Sequence, residues 1–484
     1  MMDNSGQNLT RFRGSLPAIR IVFGFSSLIA LGMTAVAVAQ DTPSYYVSGT
    51  NGNDSWSGTL TDPNSANTDG PFKTLARAQS AMRASSTIKT TNIRSGTYSI
   101  QFTNLTFASQ DSGESWIRYP GETAILDGAG MGYISNAGAD NLTFTGLVFQ
   151  NLGIGPYGAG MNLRGSGHIV RWNKFLNCKL SCLSASRLTD AVIDNNTMNG
   201  QSPGNPAGNT GYAYSAIDLW YGSSNNRVTH NLITNIEGGG IAFSAGRNDP
   251  PNNNNIVDRN IFRNVNTNVV DSGAIYMMDR THSAVGNQIT NNIIDGNGGI
   301  NFLNNWTKAI YLDDLMSNVL VSGNVCRNCG QYALQYHAGD HNNVVNNVFD
   351  LSGGALLGLY QNNTLLTGYG MAGNAFENNI VYFSSTVSNS PWVVKIGSSD
   401  ALPAVATNLY YSATGASISN SGQIVDANPV YADPQFTNPS GGDYSMTPTS
   451  PAYTQIQFQP LPTDQGPVPQ ISPPTNLQIL EVFP

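Results

Sequence analysis

Two short phrases recur in the middle of the chain, Ala274-Ile275-Tyr276-Met277-Met278-Asp279 and Ala309-Ile310-Tyr311-Leu312-Asp313-Asp314, and a third follows as Ala333-Leu334-Gln335-Tyr336-His337. Aligning the alanines sets Asp279 level with Asp314, and Asp313 level with His337. Asp271 lies three residues before the first alanine. Five titratable groups therefore gather from three successive repeats of a chain in which only 11% of residues are charged. Cleavage of an acetal needs one carboxyl group to protonate the leaving oxygen and a second, ionised, to attack or to activate water. Crowded carboxylates divide these roles, because like charges a few ångströms apart push one pKa up while a neighbour stays ionised. Asp271, Asp279, Asp313 and Asp314 are the catalytic candidates. Tyr276 and Tyr311 would offer apolar ring faces to a sugar, and His337 and Lys308 polar contacts to it.

Two other chemistries use the same residues. β-Elimination from a uronate, as in a polysaccharide lyase, or its epimerisation wants a charge neutraliser and a base; Arg280, Lys308 or His337 can serve as the base, and Ca²⁺ held by Asp279 and Asp314 as the neutraliser. Hydrolysis requires no cofactor. A ladder of Asp residues can also do no more than cap turns, as it would in a non-catalytic surface glycan-binding protein or adhesin. Against that stands the concentration of carboxylates on adjacent repeats, which sugar binding alone does not need.

The element that must position these groups is a repeat. An apolar-x-x-Asn-x-apolar pattern is centred on Asn173, Asn196, Asn231, Asn260, Asn292, Asn324, Asn347 and Asn379, at intervals of 23, 35, 29, 32, 32, 23 and 32 residues. The shortest interval is a bare coil and the longer ones carry loops. A coil of two dozen residues rich in β-branched positions is too short for a helix-containing solenoid. The expected fold is all-β, a single-stranded right-handed parallel β-helix whose coils bury their apolar faces only by stacking. The repeated Asn is expected in a turn, accepting left-handed geometry and bonding the Asn above and below it. In such strands Ile275, Ile310 and Leu334 point inward, and Tyr276, Tyr311, Asp313 and His337 outward.

The flanks read differently. Arg11, Arg13 and Arg20 precede an apolar run and Ala37-Val38-Ala39, so residues 1–39 are expected to be a signal peptide. That makes the protein secreted or periplasmic, with no membrane segment after cleavage. Residues 40–100 form a cap, in which Pro71 and the helical spacing of Leu75, Ala78 and Met82 predict one short amphipathic helix. Residues 101–425 hold the coils, and 426–484 a Pro-rich extended tail packed on or beyond them. Cys178 and Cys182, and Cys326 and Cys329, read as two local disulfides or as buried thiols; coils separate the two pairs too far for one zinc site. The net charge of −8 becomes more negative without the first 39 residues and disfavours nucleic acid. The expected partner is a polysaccharide or oligosaccharide, and the protein is expected to be a monomer.

Tyr46-Val47-Ser48 with Asn53-Asp54, then Gly70-Pro71-Phe72-Lys73-Thr74, the Asn coils and Asp433-Pro434-Gln435-Phe436 resemble bacterial right-handed parallel β-helix carbohydrate-active enzymes of the pectin-lyase-like kind. Asp271 to Tyr276, Ala309 to Asp314, and His337-Ala338-Gly339-Asp340-His341-Asn342 resemble blocks of glycoside hydrolase families 120 and 141. Those families include β-xylosidase, α-L-fucosidase and xylanase activities with two catalytic carboxylates. The resemblance implies that the block holding Asp313 and Asp314 carries one carboxylate and that Asp271 or Asp279 is its partner. Relatives often have Arg where this chain has Asp340.

Overall fold

The structure is a computed structural model and describes residues 43–201, 214–269, 271–298, 306–351, 355–362, 369–384 and 391–469. The signal peptide expected over residues 1–39 lies outside the described residues, as does the end of the tail. Among the described residues no helix is long and apolar enough to cross a membrane.

Three parallel sheets of 13, 11 and 13 strands run the length of the molecule, each strand pairing with the one a coil earlier and a coil later. Many strands are three residues long with the central side chain buried. In one sheet Phe144, Val170, Ile193, Val228, Val257, Ile289, Val321, Val344 and Phe376 fall in one register and form a continuous interior column. No coil could bury its own member of that column, so the stack folds as a unit.

Each Asn of the repeat accepts from the backbone N–H and the side-chain amide of the Asn one coil earlier. The chain of bonds runs unbroken from Asn173 to Asn379 at 2.9 to 3.1 Å. It continues to Asn408 and ends on the carboxylate of Asp426. The expected left-handed backbone is one residue off. Trp172, Asn195, His230, Arg259, Asn291, Asn346 and Asn378, each just before a ladder Asn, carry the positive φ. The ladder Asn itself is fully buried and serves through its amide. A second ladder joins Asn226, Asn255 and Asn287, and again Asn342 and Asn374. Its members stand five residues before those of the first, an interval legible in the sequence.

Helix α1, Leu75–Ala84, is capped by Thr74 and buries Leu75, Ala78 and Met82 against the first coil. At the other end Val430–Tyr431 still pairs as a strand with Leu409–Tyr410, past the boundary placed at 425. The tail is more than extended chain. It carries an antiparallel hairpin and a helix, α2, Pro451–Gln455. Tyr444, Ala452, Ile456 and Phe458 cover the outward Val325, Val348, Ile380 and Leu409 of the third sheet. The cysteines pair locally, Cys178 with Cys182 and Cys326 with Cys329. Peptide mapping of the unreduced protein is expected to return those two pairs; a Cys178–Cys329 crosslink would contradict the register, because strand Lys174–Cys178 and strand Val325–Arg327, which Cys329 closely follows, stand five places apart in one sheet.

Candidate functional site

Strands β1 (Gly273–Asp279), β2 (Lys308–Asp313) and β3 (Tyr332–His337) are neighbours in the 11-stranded sheet. Their register pairs Tyr276 with Tyr311 and Gln335, and Met278 with Asp313. Alternation turns Ile275, Ile310 and Leu334 into the core and leaves the tyrosines, Asp313 and His337 on the outer face.

Asp313 is the hub. Its carboxylate accepts from the Tyr276 hydroxyl at 2.7 Å and from the backbone of Asp314 at 2.9 Å, and pairs with Nδ1 of His337 at 2.5 Å. The Tyr311 hydroxyl stands 3.5 Å from the same imidazole nitrogen, and its ring meets Tyr276 edge-on at 5.2 Å. Beyond Tyr311 the ammonium of Lys308 lies 4.1 Å from the ring centroid and binds Asp271 at 2.6 Å. Asp314 faces Arg280 at 2.6 Å instead.

Burial alone would push the Asp313 carboxyl up, but the His337 hydrogen bond and charge and the tyrosine hydroxyls outweigh it and hold the group below the usual carboxylate range. Burial likewise opposes the imidazolium of His337, and the bond and charge of Asp313, with Asp314 behind it, raise its pKa on balance. Burial pushes the Lys308 ammonium down, with Asp271 opposing. The Tyr276 phenol is pushed well up, first by burial and then by Asp313, so it stays a donor.

The structure brings Asp271, Lys308, Tyr276, Tyr311, Asp313, Asp314 and His337 into this connected set. Asp279 departs from the expectation that it faces solvent. It sits at the end of β1 with no exposure and accepts from the backbone of Thr281 and Ser283, capping its turn. Burial raises its pKa. Lys308, read as a surface contact, is fully buried too. The side chain of Asp271 is 56% exposed, against 11% for Asp313, so solvent reaches the set mainly at the Asp271 edge.

A family model described as "Right handed beta helix region" matches residues 132–304. The fold is a right-handed parallel β-helix. The match carries the fold and does not reach as far as glycoside hydrolase families 120 and 141. No curated protein matches this β-helix in sequence. Among solved structures, the PL6 family alginate lyase AlyGC is 13% identical with a TM-score of 0.44, covering 83% of this chain and 59% of its own. The catalytic domain of a GH87 α-1,3-glucanase in complex with nigerose is 14% identical with a TM-score of 0.43, covering 86% and 69%. The Streptococcus pneumoniae surface protein and adhesin PfbA is 10% identical with a TM-score of 0.38, covering 74% and 94%. The β-helix thus spans less than two thirds of the alginate lyase's length, and likeness of this degree assigns no reaction.

Two residues beside the set were not singled out in the sequence, Trp306 and Lys395. The Trp306 indole stands 5.6 Å from the Lys308 ammonium and 4.9 Å from that of Lys395. Neither residue belongs to a repeated phrase, so the alignment of coils gave no signal for them.

The Asp313–His337 pair makes β-helix stability depend on pH. Asp313 contributes above the ordinary carboxylate value near ~4 and loses that contribution as pH falls through its depressed value; His337 contributes below the ordinary imidazole value near ~6.5 and loses it as pH rises through its raised one. The stability gap between the native protein and His337→Gln, read from urea midpoints, is therefore expected to be widest at about pH 5 to 6 and to shrink toward about pH 9. A gap that widens with alkalinity would mean that His337 is held neutral.

Proposed function

We propose that the protein is an exported polysaccharide-degrading enzyme, and that it hydrolyses glycosidic bonds at the outer face of β1, β2 and β3. The observation that carries this reading is the convergence of groups from three consecutive coils on Asp313, in a chain poor in charge. Asp313, held ionised, is the carboxylate that attacks or activates water. Asp271, which reaches solvent beyond Lys308, is the second carboxyl group of the pair. His337 and Tyr276 fix the Asp313 carboxylate in place, and Arg280 holds Asp314 beside it. Lys308 holds the Asp271 carboxylate in place from beneath, and the Tyr311 ring packs against Lys308 and His337.

Lys308 favours a second reading. A buried amine with a lowered pKa beside a tyrosine is a candidate base for β-elimination from a uronate. Asp313, Asp314 and His337 offer ligand atoms within 4.8 Å of one another. Two carboxylates and an imidazole do not fit Ca²⁺, which takes six to eight oxygens, and Asp279 is committed to its turn.

The test is activity on neutral and uronate polysaccharides with and without chelator. New reducing ends with no ultraviolet-absorbing product, unaffected by chelator, are expected. An unsaturated, absorbing product would replace hydrolysis by elimination. Glycan binding with no cleavage would make the protein a binding module.

A further inference from the structure

The geometry points to a subsite at Trp306 and Lys395 for an anionic sugar residue, one bearing a carboxylate or a sulfate ester. This inference rests on the proposed glycan-cleaving reading and names the substrate class of that site. Trp306 is 42% exposed, directly before the buried Thr307 and the start of β2. Two ammonium groups lie close to its indole, that of Lys308 at 5.6 Å and that of Lys395 at 4.9 Å from the ring centroid. Lys395 ends strand β4, Trp392–Lys395, and is exposed. The sheet register places it in the same column as His337, with Gln361 between them, two strand spacings or ~10 Å along the axis.

Gathering two ammonium groups at one exposed ring is unfavourable unless something compensates, because like charges at this range repel. Burial lowers the tendency of Lys308 to stay protonated, Asp271 and Asp313 oppose it, and Lys395 adds to the lowering. Asp271, bound to Lys308, is the one carboxylate among the described residues within ion-pair distance of either lysine. The pair thus keeps a surplus of positive charge in a chain whose net charge is −8. An anionic sugar removes the repulsion. Its ring face stacks on the indole, and its carboxylate or sulfate oxygens receive the Lys395 ammonium in a charge-assisted hydrogen bond. A neutral sugar gains the stacking and leaves the repulsion in place.

Affinity measurements on the full chain carrying Asp313→Asn, which prevents turnover, test this. The probes are galacturonate, glucuronate and mannuronate–guluronate oligosaccharides, their carboxyl-reduced counterparts, and a sulfated neutral oligosaccharide. At least one anionic probe is expected to bind about tenfold tighter than its uncharged counterpart at low salt, with the preference shrinking in high salt. Carboxylate and sulfate probes report separately which anion the subsite takes. Lys395→Gln is expected to abolish most of the preference and Lys395→Arg to retain it, while Trp306→Ala weakens charged and uncharged probes together. In the turnover-competent chain Lys395→Gln should act through KM. If no anionic probe outbinds its uncharged counterpart, or if Lys395→Gln leaves the preference intact, the subsite is wrong. A Lys395-dependent preference without cleavage of any glycan would sink the reaction and leave the subsite standing; cleavage of neutral glycans with no charge preference would do the reverse.

Discussion

Asp313→Asn is expected to lower kcat by about three orders of magnitude or more, the scale seen when a positioned carboxylate that transfers protons or attacks is removed. The substitution keeps the volume and one acceptor oxygen. Its new amide can donate to a neutral His337, so the buried contacts between β2 and β3 have a way to survive. The fold should therefore hold while turnover is lost, and denaturant midpoints measured beside the kinetics separate the two effects. His337→Ala is expected to cost less, because the imidazole acts through the carboxylate it orients. Full turnover in Asp313→Asn together with a weakened fold would make the cluster structural and send the search for the reaction centre to another face.

The largest effect on stability is expected from the interior of the Asn ladder. Asn292 is fully buried, accepts from the backbone and amide of Asn260, and donates to the Val257 carbonyl and to Asn324, all at 2.9 to 3.0 Å. Alanine there takes the partner from two donors of Asn260 and from the Val257 carbonyl, away from water, while Asn324 keeps the backbone N–H of residue 292. Each unsatisfied buried group costs about 1–3 kcal/mol, so a loss of roughly 3 kcal/mol or more is expected after relaxation. Asn199 accepts from Asn235 on the exposed edge, and Asn199→Ala should stay within about 0.5 kcal/mol. Urea unfolding of both variants makes the comparison. Equal small losses would show that the ladder is decoration on a core held by its apolar columns alone.

The likeness of the short phrases placed three neighbouring strands in register but could not rank their carboxylates. Asp313 and Asp314 are adjacent in sequence and equivalent as residue types. Only their surroundings divide them, with Asp313 turned toward Tyr276 and His337 and Asp314 toward Arg280. Asp279 is level with Asp314 in the register, yet it caps its own turn because the chain after β1 bends back at Thr281 and Ser283.

What the sequence by itself determined is the part of the molecule that is one-dimensional. In a solenoid each coil touches only the next, so intervals between like residues translate directly into register. The Asn ladder, the inward column and the pairing of Tyr276 with Tyr311 follow from counting. The tertiary structure alone decided whatever depends on segments between the strands. The burial of Lys308, the approach to Trp306 of two lysines 87 residues apart in sequence, and the docking of the tail on the third sheet are contacts between residues that share no place in the repeat. Nothing in a period records where a loop comes to rest, because its contacts are made with side chains it does not repeat.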